Sequence, residues 1–408
     1  MKVIYLSTMV PNDWVKEAST SRIVENNMAS GIGEMLYAIY GNDMQCVTIQ
    51  PRLKEENYEH NSTPGCYQIS GKLKTRVVKS KTTPYQLVIT GLRAAVKEIN
   101  NMIEEWLEAG EEKILLITYN AIPPMCLVPR FLKRKKIIKT ACVLLDSPVF
   151  PEISTKVKTM VVKVWNLFAV RIFEKYDAGM AVAARCVTDF DKKKKFLQLL
   201  PGVTQHTLEE IPFHKPVYQE EIILTYAGNV SHFNGVDNLI KMMKYLPEHY
   251  KLHILGSGEL EGYVRESQKV CPQICFHGLC SHEEVLEQYK KSNILILLRN
   301  GDDKKSEWLL KYGTSSKLAE MMLSGVPIVT NPVEANPSEF HQYVTCVEGT
   351  DPKTAAECVY QVTKDEEEYA KIIEKAQRAR EYYLNHALWI KQKESVKKFL
   401  EDLMGIDK

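Results

Sequence analysis

The chain has 408 residues, of which 45% are hydrophobic and 25% charged, with 53 Lys+Arg against 51 Asp+Glu. That balance excludes a disordered or collagen-like chain, and the length predicts two domains of about 200 residues each. No stretch of 18 uninterrupted apolar residues occurs, which excludes an obvious membrane-spanning helix.

In chain order, short apolar runs alternate with longer amphipathic ones, the pattern of parallel βαβ units. Strands are predicted at 2–7 (KVIYLS), 44–49, 113–118, 140–145 and 178–183, with helices between several of them. A second series follows at 223–228, 250–256, 273–278, 293–298 and 326–331, with helices near 235–246, 259–270, 282–291 and 315–324. Between the two series, residues 200–221 carry Pro201, Gly202, Pro212 and Pro216 without periodicity and read as a linker. Residues 352–403 read as helical and charged. The expected fold is α/β, with doubly wound parallel-sheet domains over 1–205 and 206–380. A helical segment, 381–408, is expected to pack back towards the first. Such sheets bind ligands at the carboxyl ends of their strands, in a cleft.

In the second series, each strand end offers polar or flexible groups. These are Gly228, Asn229 and Gly235, then Gly256, Gly258 and Glu259, then "GLCSHEE" with Gly278 and Leu279, then "RNGDDKKSEW" opening with Arg299. The last is "KYGTSSKLAEMMLSGVPIVTN", Lys311 to Asn331. Here a helix opens on Ser315, Ser316 and Lys317, close to Lys311, although the positive end of a helix dipole repels cations. An anion between the cations resolves this. Free N–H groups, two hydroxyls and the Arg299 and Lys317 cations suit a diphosphate. Glu320, one turn past Lys317, shares its face and suits the two hydroxyls of a ribose. The plainer alternative is a Lys317–Glu320 surface pair.

These stretches, with "YAGNVSHFNGVDNLI", "LHILGSGELEGYV" and "ICFHGLCSHEEVLEQYKKSNILILLR", resemble the donor-binding half of GT-B glycosyltransferases. The nearest likeness is to retaining family 4, in the branch that builds capsular and surface polysaccharides. The resemblance covers about 222–345; the first half matches only in layout. It implies a GT-B architecture of two Rossmann-like domains facing across a cleft, and a nucleotide-diphosphate sugar donor, with a UDP-sugar favoured. It also implies front-face transfer with retention of configuration, no metal and no cofactor. Carried over by position, Arg299 and Lys317 hold the diphosphate, and Glu320 the ribose. Gly278 and Leu279 face the base, while Ser315 and Ser316 add phosphate hydrogen bonds. Gly228, Asn229, Gly256 and Tyr312 complete the donor set. Two departures stand out: Tyr312 occupies the place of the family's first glutamate, and "SHFNG" lacks the usual basic residue.

Catalytic candidates are Arg299, Lys317 and, from the first half, Asn120 beside Tyr119, which meets the donor sugar or acceptor or else caps its loop. Asp146 is a candidate for the same edge or a turn cap before Pro148. The departing phosphate itself can take the acceptor proton. "CPQICFHGLCSH" (271–282) suggests zinc, but its spacing is not that of paired knuckles, so no metal site is expected. Asp302-Asp303 sits in a lysine-rich loop near the donor, where Lys304 or Lys305 could reach phosphate.

Residues 1–200 hold 29 Lys+Arg and 20 Asp+Glu, net +9, against net −7 for the rest, which points to an anionic partner. The basic stretches are 130–139 and 155–176, the latter apolar with Lys156 and Lys163 on one face. They suit either contact with a membrane surface, where a polyprenyl-linked saccharide acceptor would lie, or a buried helix with snorkelling lysines. "DKKKKF" (191–196) reads as a solvated turn. No stacking platform accompanies the charge, so nucleic acid is not expected. Ten scattered cysteines, without a signal-peptide pattern, suggest reduced thiols and a cytoplasmic enzyme, peripheral at the inner face of the membrane. Rival readings are a non-catalytic acceptor-binding or partner subunit and a nucleotide-sugar epimerase of the same fold.

Overall fold

The computed structural model describes residues 1–15, 20–49, 64–78, 84–121, 123–134, 136–145, 147–149 and 156–406. Asp146 lies outside them, as do the side chains of Lys156 and Ser316. The chain forms two compact units, Met1–Thr204 with Ala387–Lys408, and Gln205–His386.

The first unit is built on β1 (Lys2–Ser7), β2 (Met44–Ile49), β3 (Gly65–Ser70), β4 (Leu73–Val78), β5 (Ile114–Tyr119), β6 (Ile138–Leu144), β7 (Ala178–Ala181) and β8 (Lys195–Gln198). Their order is β3-β4-β2-β1-β5-β6-β7-β8, parallel except for the β3–β4 hairpin. Central strands are covered on both faces, so β5 is buried at every residue and reads as an unbroken apolar run. The hairpin and β8 escape the sequence reading because no residue of β3 or β8 is buried and β4 carries charges at alternate positions. In β4, Leu73, Thr75 and Val77 point inwards while Lys74 and Arg76 point out.

"DKKKKF" is not wholly solvated. Lys194 lies beneath the surface, 3.2 Å from Asp191 and 5.0 Å from the Phe173 ring centroid, and its ammonium donates to Tyr176 O at 2.7 Å. The C-terminal segment packs on this unit. Gln392 accepts from Leu200 N at 2.8 Å and donates to Leu200 O at 3.1 Å, and Val396, Leu400 and Leu403 join the core around Ile32 and Leu36.

The helix Lys156–Phe173 buries Ala169, Ile172 and Phe173 but leaves Val164, Leu167 and Phe168 exposed. No helix among the described residues is long and apolar enough to cross a membrane.

The second unit is built on β9 (Ile222–Ala227), β10 (Tyr250–Leu255), β11 (Ile274–Gly278), β12 (Ile294–Leu297), β13 (Ile328–Thr330) and β14 (Thr345–Cys346). Their order is β11-β10-β9-β12-β13-β14 and every pairing is parallel. The order reverses between β9 and β12, the switch point at which doubly wound sheets open a crevice. The predicted linker is corrected in part. Residues Gln205–Glu210 form a helix, and beyond it His214 N–H donates to Ser324 O at 2.8 Å. Phe213 lies 4.8 Å from the Arg380 guanidinium, so this stretch is anchored to the second unit.

Candidate active site

Because its strands are parallel, the second sheet gathers the loops after β9, β10, β11, β12 and β13 along one edge. The first loop is tightly stitched. Gly228 N–H donates to Leu255 O at 2.8 Å, and Val230 N–H to Ser257 O at 3.0 Å. The Tyr226 hydroxyl and the Asn234 amide both donate to Asn229 O, at 2.6 and 3.0 Å. Gly228 has φ +148 and Gly256 φ +132, in the region that favours glycine. A Cβ on Gly228 would lie 1.4 Å from Lys317 Nζ, and one on Gly256 would lie 1.8 Å from Gly228 O. The lysine therefore lies directly against the bare backbone of the first loop.

Arg299 follows β12. Its N–H donates to Asn331 Oδ1 at 2.8 Å and its carbonyl accepts from Asn331 Nδ2 at 2.8 Å, a reciprocal clamp that fixes its backbone. Its guanidinium lies 5.3 Å from the Phe233 ring centroid and donates from Nη1 to Gly313 O at 3.0 Å. Its Nε is buried without a hydrogen-bond partner. A buried guanidinium with an orphaned donor is the feature a bound anion would satisfy.

Lys317 stands in the first turn of the helix Ser316–Ser324, 5.4 Å from the Tyr226 ring centroid. Ser315, at the cap position, is buried and makes no side-chain cap bond, so the positive helix end is left uncapped by it. Burial, and then the neighbouring Arg299 cation, push the Lys317 ammonium down to about 8, with Glu320 opposing. Burial likewise pulls Arg299 down to about 10. Among the described residues neither cation makes an ion pair. Two cations held together at a cost in solvation make a site that gains from a multivalent anion.

The expectation for Lys311 is corrected: its ammonium turns to Glu307 at 3.0 Å, as an i,i+4 pair suits a helix surface. The remaining donor-set residues take these places. Gly278 ends β11 with φ +72, and Leu279 beside it is 77% exposed. Tyr312 ends the helix Lys304–Tyr312, its ring 5.3 Å from that of Trp308. Glu320 does not pair with Lys317; its Oε1 lies 3.5 Å from His282 Nε2.

Asn120 belongs to the first unit. Its φ of +58 and a bond from Leu145 N–H to its Oδ1 at 2.9 Å make it the latch between the ends of β5 and β6. Tyr119 is buried, its hydroxyl donating to Glu25 O at 3.3 Å.

The residues of "CPQICFHGLCSH" disperse. His277 Nε2 lies 3.0 Å from His253 Nδ1, Cys271 lies 3.9 Å from Gln273, and His282 turns to Glu320. Asp303 caps the helix Lys304–Tyr312 by accepting from Lys305 and Ser306 N–H at 2.8 and 3.1 Å, while Asp302 meets His232 Nε2 at 2.6 Å. Sequence reasoning missed Tyr226, Phe233, Asn331 and His282. Asp303 was legible as a helix cap, an acidic residue just before "KKSEWLLKY".

Residues 208–379 match the family model described as Glycosyl transferases group 1. No curated protein sequence matches the chain. Among solved structures, the chain is similar to the sucrose-phosphate synthase of Thermosynechococcus elongatus, with TM-score 0.68, 14% identity and 100% of each chain covered. It is similar to HepE of Anabaena, solved with UDP-glucose, with TM-score 0.60, 10% identity and 98% and 100% of the two chains covered. A variant of TarM from S. aureus, solved with fondaparinux, alpha-GlcNAc-glycerol and UDP, has TM-score 0.55, 10% identity and 99% and 100% coverage. The fold is GT-B, and within the second unit residues 208–379 match the glycosyl transferases group 1 model.

Proposed function

We propose that the protein is a retaining, metal-independent glycosyltransferase that takes a sugar from a nucleotide-diphosphate donor, with UDP favoured. The acceptor is a saccharide or a polyprenyl-linked saccharide of surface-polysaccharide synthesis. The observation that carries this reading is the Arg299–Lys317 pair, a buried guanidinium and a half-buried ammonium without an ion-pair partner among the described residues, at a helix start whose cap side chain is unengaged. The family match supports transfer of a glycosyl group, and neighbours solved with UDP support uridine.

In such a transfer the bond from the anomeric carbon to the β-phosphate oxygen breaks, and negative charge grows on the leaving diphosphate. Lys317, Arg299 and the N–H groups of the helix start stabilise that charge where it develops. The acceptor oxygen bonds to the anomeric carbon on the same face, and its proton passes to the departing phosphate.

A thermal-shift screen against UDP, GDP, ADP, CMP and dTDP, with and without EDTA, tests the reading. A shift with one diphosphate that survives EDTA is expected. Silence with all of them would favour a non-catalytic acceptor-binding or partner protein. Glu320→Ala is expected to weaken that nucleotide by roughly 1–3 kcal/mol, the scale of charge-assisted hydrogen bonds to ribose, and unchanged calorimetric affinity would remove the role.

Membrane contact belongs to the same proposal. Exposed Val164, Leu167 and Phe168 lie between Lys163 and Arg171, and exposed Phe131 and Ile137 flank Lys133 and Arg134. Charge reversal at Lys156 and Lys163 is expected to reduce flotation with anionic vesicles; equal flotation would leave the helix a purely internal element.

A further inference from the structure

Glu320 reaches its position at the end of a short chain of side chains in the second unit. His282 opens the helix His282–Lys290, just after the capping residue Ser281. Its Nε2 lies 3.5 Å from Glu320 Oε1, and its Nδ1 lies 3.9 Å from Glu210 Oε2 on the helix Gln205–Glu210. The contact with Glu320 is the largest influence on the imidazole and raises it above its ordinary value, with the Glu210 charge adding to it against burial. The ring thus stands between carboxylates from two other helices.

We infer that His282 is a positioning residue for the nucleotide site, holding the Glu320 carboxylate from behind through Oε1 so that Oε2 stays open to the ribose hydroxyls. This rests on the reading of Glu320 as the ribose acceptor. A carboxylate has about four lone-pair sites, so one bond to the imidazole leaves room for two from a ribose. A Glu side chain otherwise loses several rotamers on binding, and a partner that fixes it in advance removes part of that entropic cost. Glu210, on the far side of the ring, orients it and favours its charged form. Ser281 and Glu284 form the capping box of the same helix, so the helix start does not depend on the His282 side chain.

The test is calorimetric titration of the full chain with UDP and with inorganic pyrophosphate, for wild type, His282→Ala, Glu320→Ala and the double variant. His282→Ala is expected to weaken UDP about fivefold, the upper range of a partly exposed ion pair, and to leave pyrophosphate unchanged. In the double variant the loss is expected to equal that of Glu320→Ala alone, because His282 acts only through that carboxylate. A purely structural role would lower the affinity for pyrophosphate as well and add to the Glu320 loss, which would overturn the inference. A His282→Ala protein that binds UDP as tightly as wild type would also overturn it. Wild type that binds pyrophosphate but not UDP would instead remove the ribose reading of Glu320, and the role of His282 with it.

Discussion

Lys317→Ala is expected to weaken UDP binding by about 100-fold, the upper end for a charge-assisted bond to phosphate at a largely buried site. Pyrophosphate should weaken as much, because Lys317 faces the phosphates and not the nucleoside. The reason lies in where the ammonium is held. It rests against Gly228, 5.4 Å from the centroid of the Tyr226 ring, with Arg299 as a like-charged neighbour.

In the free protein this arrangement costs solvation and repulsion, which is why the group titrates at about 8. A bound diphosphate reverses both terms and pulls its titration upwards. Only the charged form gains from the anion, so affinity should be full below pH 8 and decline as pH rises through it. Proton uptake on binding should be measurable near pH 8 by calorimetry in buffers of different ionisation enthalpy. A flat affinity from pH 7 to 9, or a Lys317→Ala protein that binds pyrophosphate normally, would remove Lys317 from the anion site.

The second large effect concerns stability. Gly256→Ala is expected to cost at least about 3 kcal/mol, because strain at positive φ adds to overpacking. At φ +132, a Cβ there would lie 1.8 Å from the carbonyl oxygen of Gly228, a backbone atom with nowhere to go. Gly228→Ala meets the Lys317 ammonium at the end of a flexible side chain. It should therefore be milder in stability but should displace the lysine and weaken nucleotide binding about as much as Lys317→Ala does. Gly262, in the helix Glu261–Val270, has nothing within 4 Å of its Cβ position and supplies the control. Gly262→Ala should be neutral or slightly stabilising, by up to about 1 kcal/mol. Denaturation curves of the three variants would show this order. A Gly256→Ala protein as stable as Gly262→Ala would mean that the loops after β9 and β10 are not in the contact described.

Much of the fold was present in local pattern. Strands rich in apolar residues show in the sequence, so β1, β2, β5 and β9 through β12 stand out within a residue or two of their ends. The strands that escaped, β3, β4, β8 and β14, lie at sheet edges or next to one. With one face exposed, β4 carries Lys74 and Arg76 between buried residues, and no residue of β3, β8 or β14 is buried, which removes the apolar signal. Lys194 shows the same limit at one residue: within four consecutive lysines nothing marks the one that folds beneath the surface onto Phe173.

The site divides in the same way. Ser315, Lys317 and Glu320 lie within two turns of one helix, so helical geometry alone places them together, and Arg299 is marked by its position at the end of an apolar strand. By itself the sequence therefore determined the kinds of group at the sheet edge, and their local spacing. Their partners were decided only by tertiary structure. Asn331 clamps Arg299 from 32 residues away because β12 and β13 are neighbours, and Gly256 meets Gly228 because β10 lies beside β9. Glu320 faces His282 and not Lys317 because the helices Ser316–Ser324 and His282–Lys290 come within reach of each other. Strand order sets each of these pairings. It is chosen by packing the whole sheet, so no window of local sequence contains it.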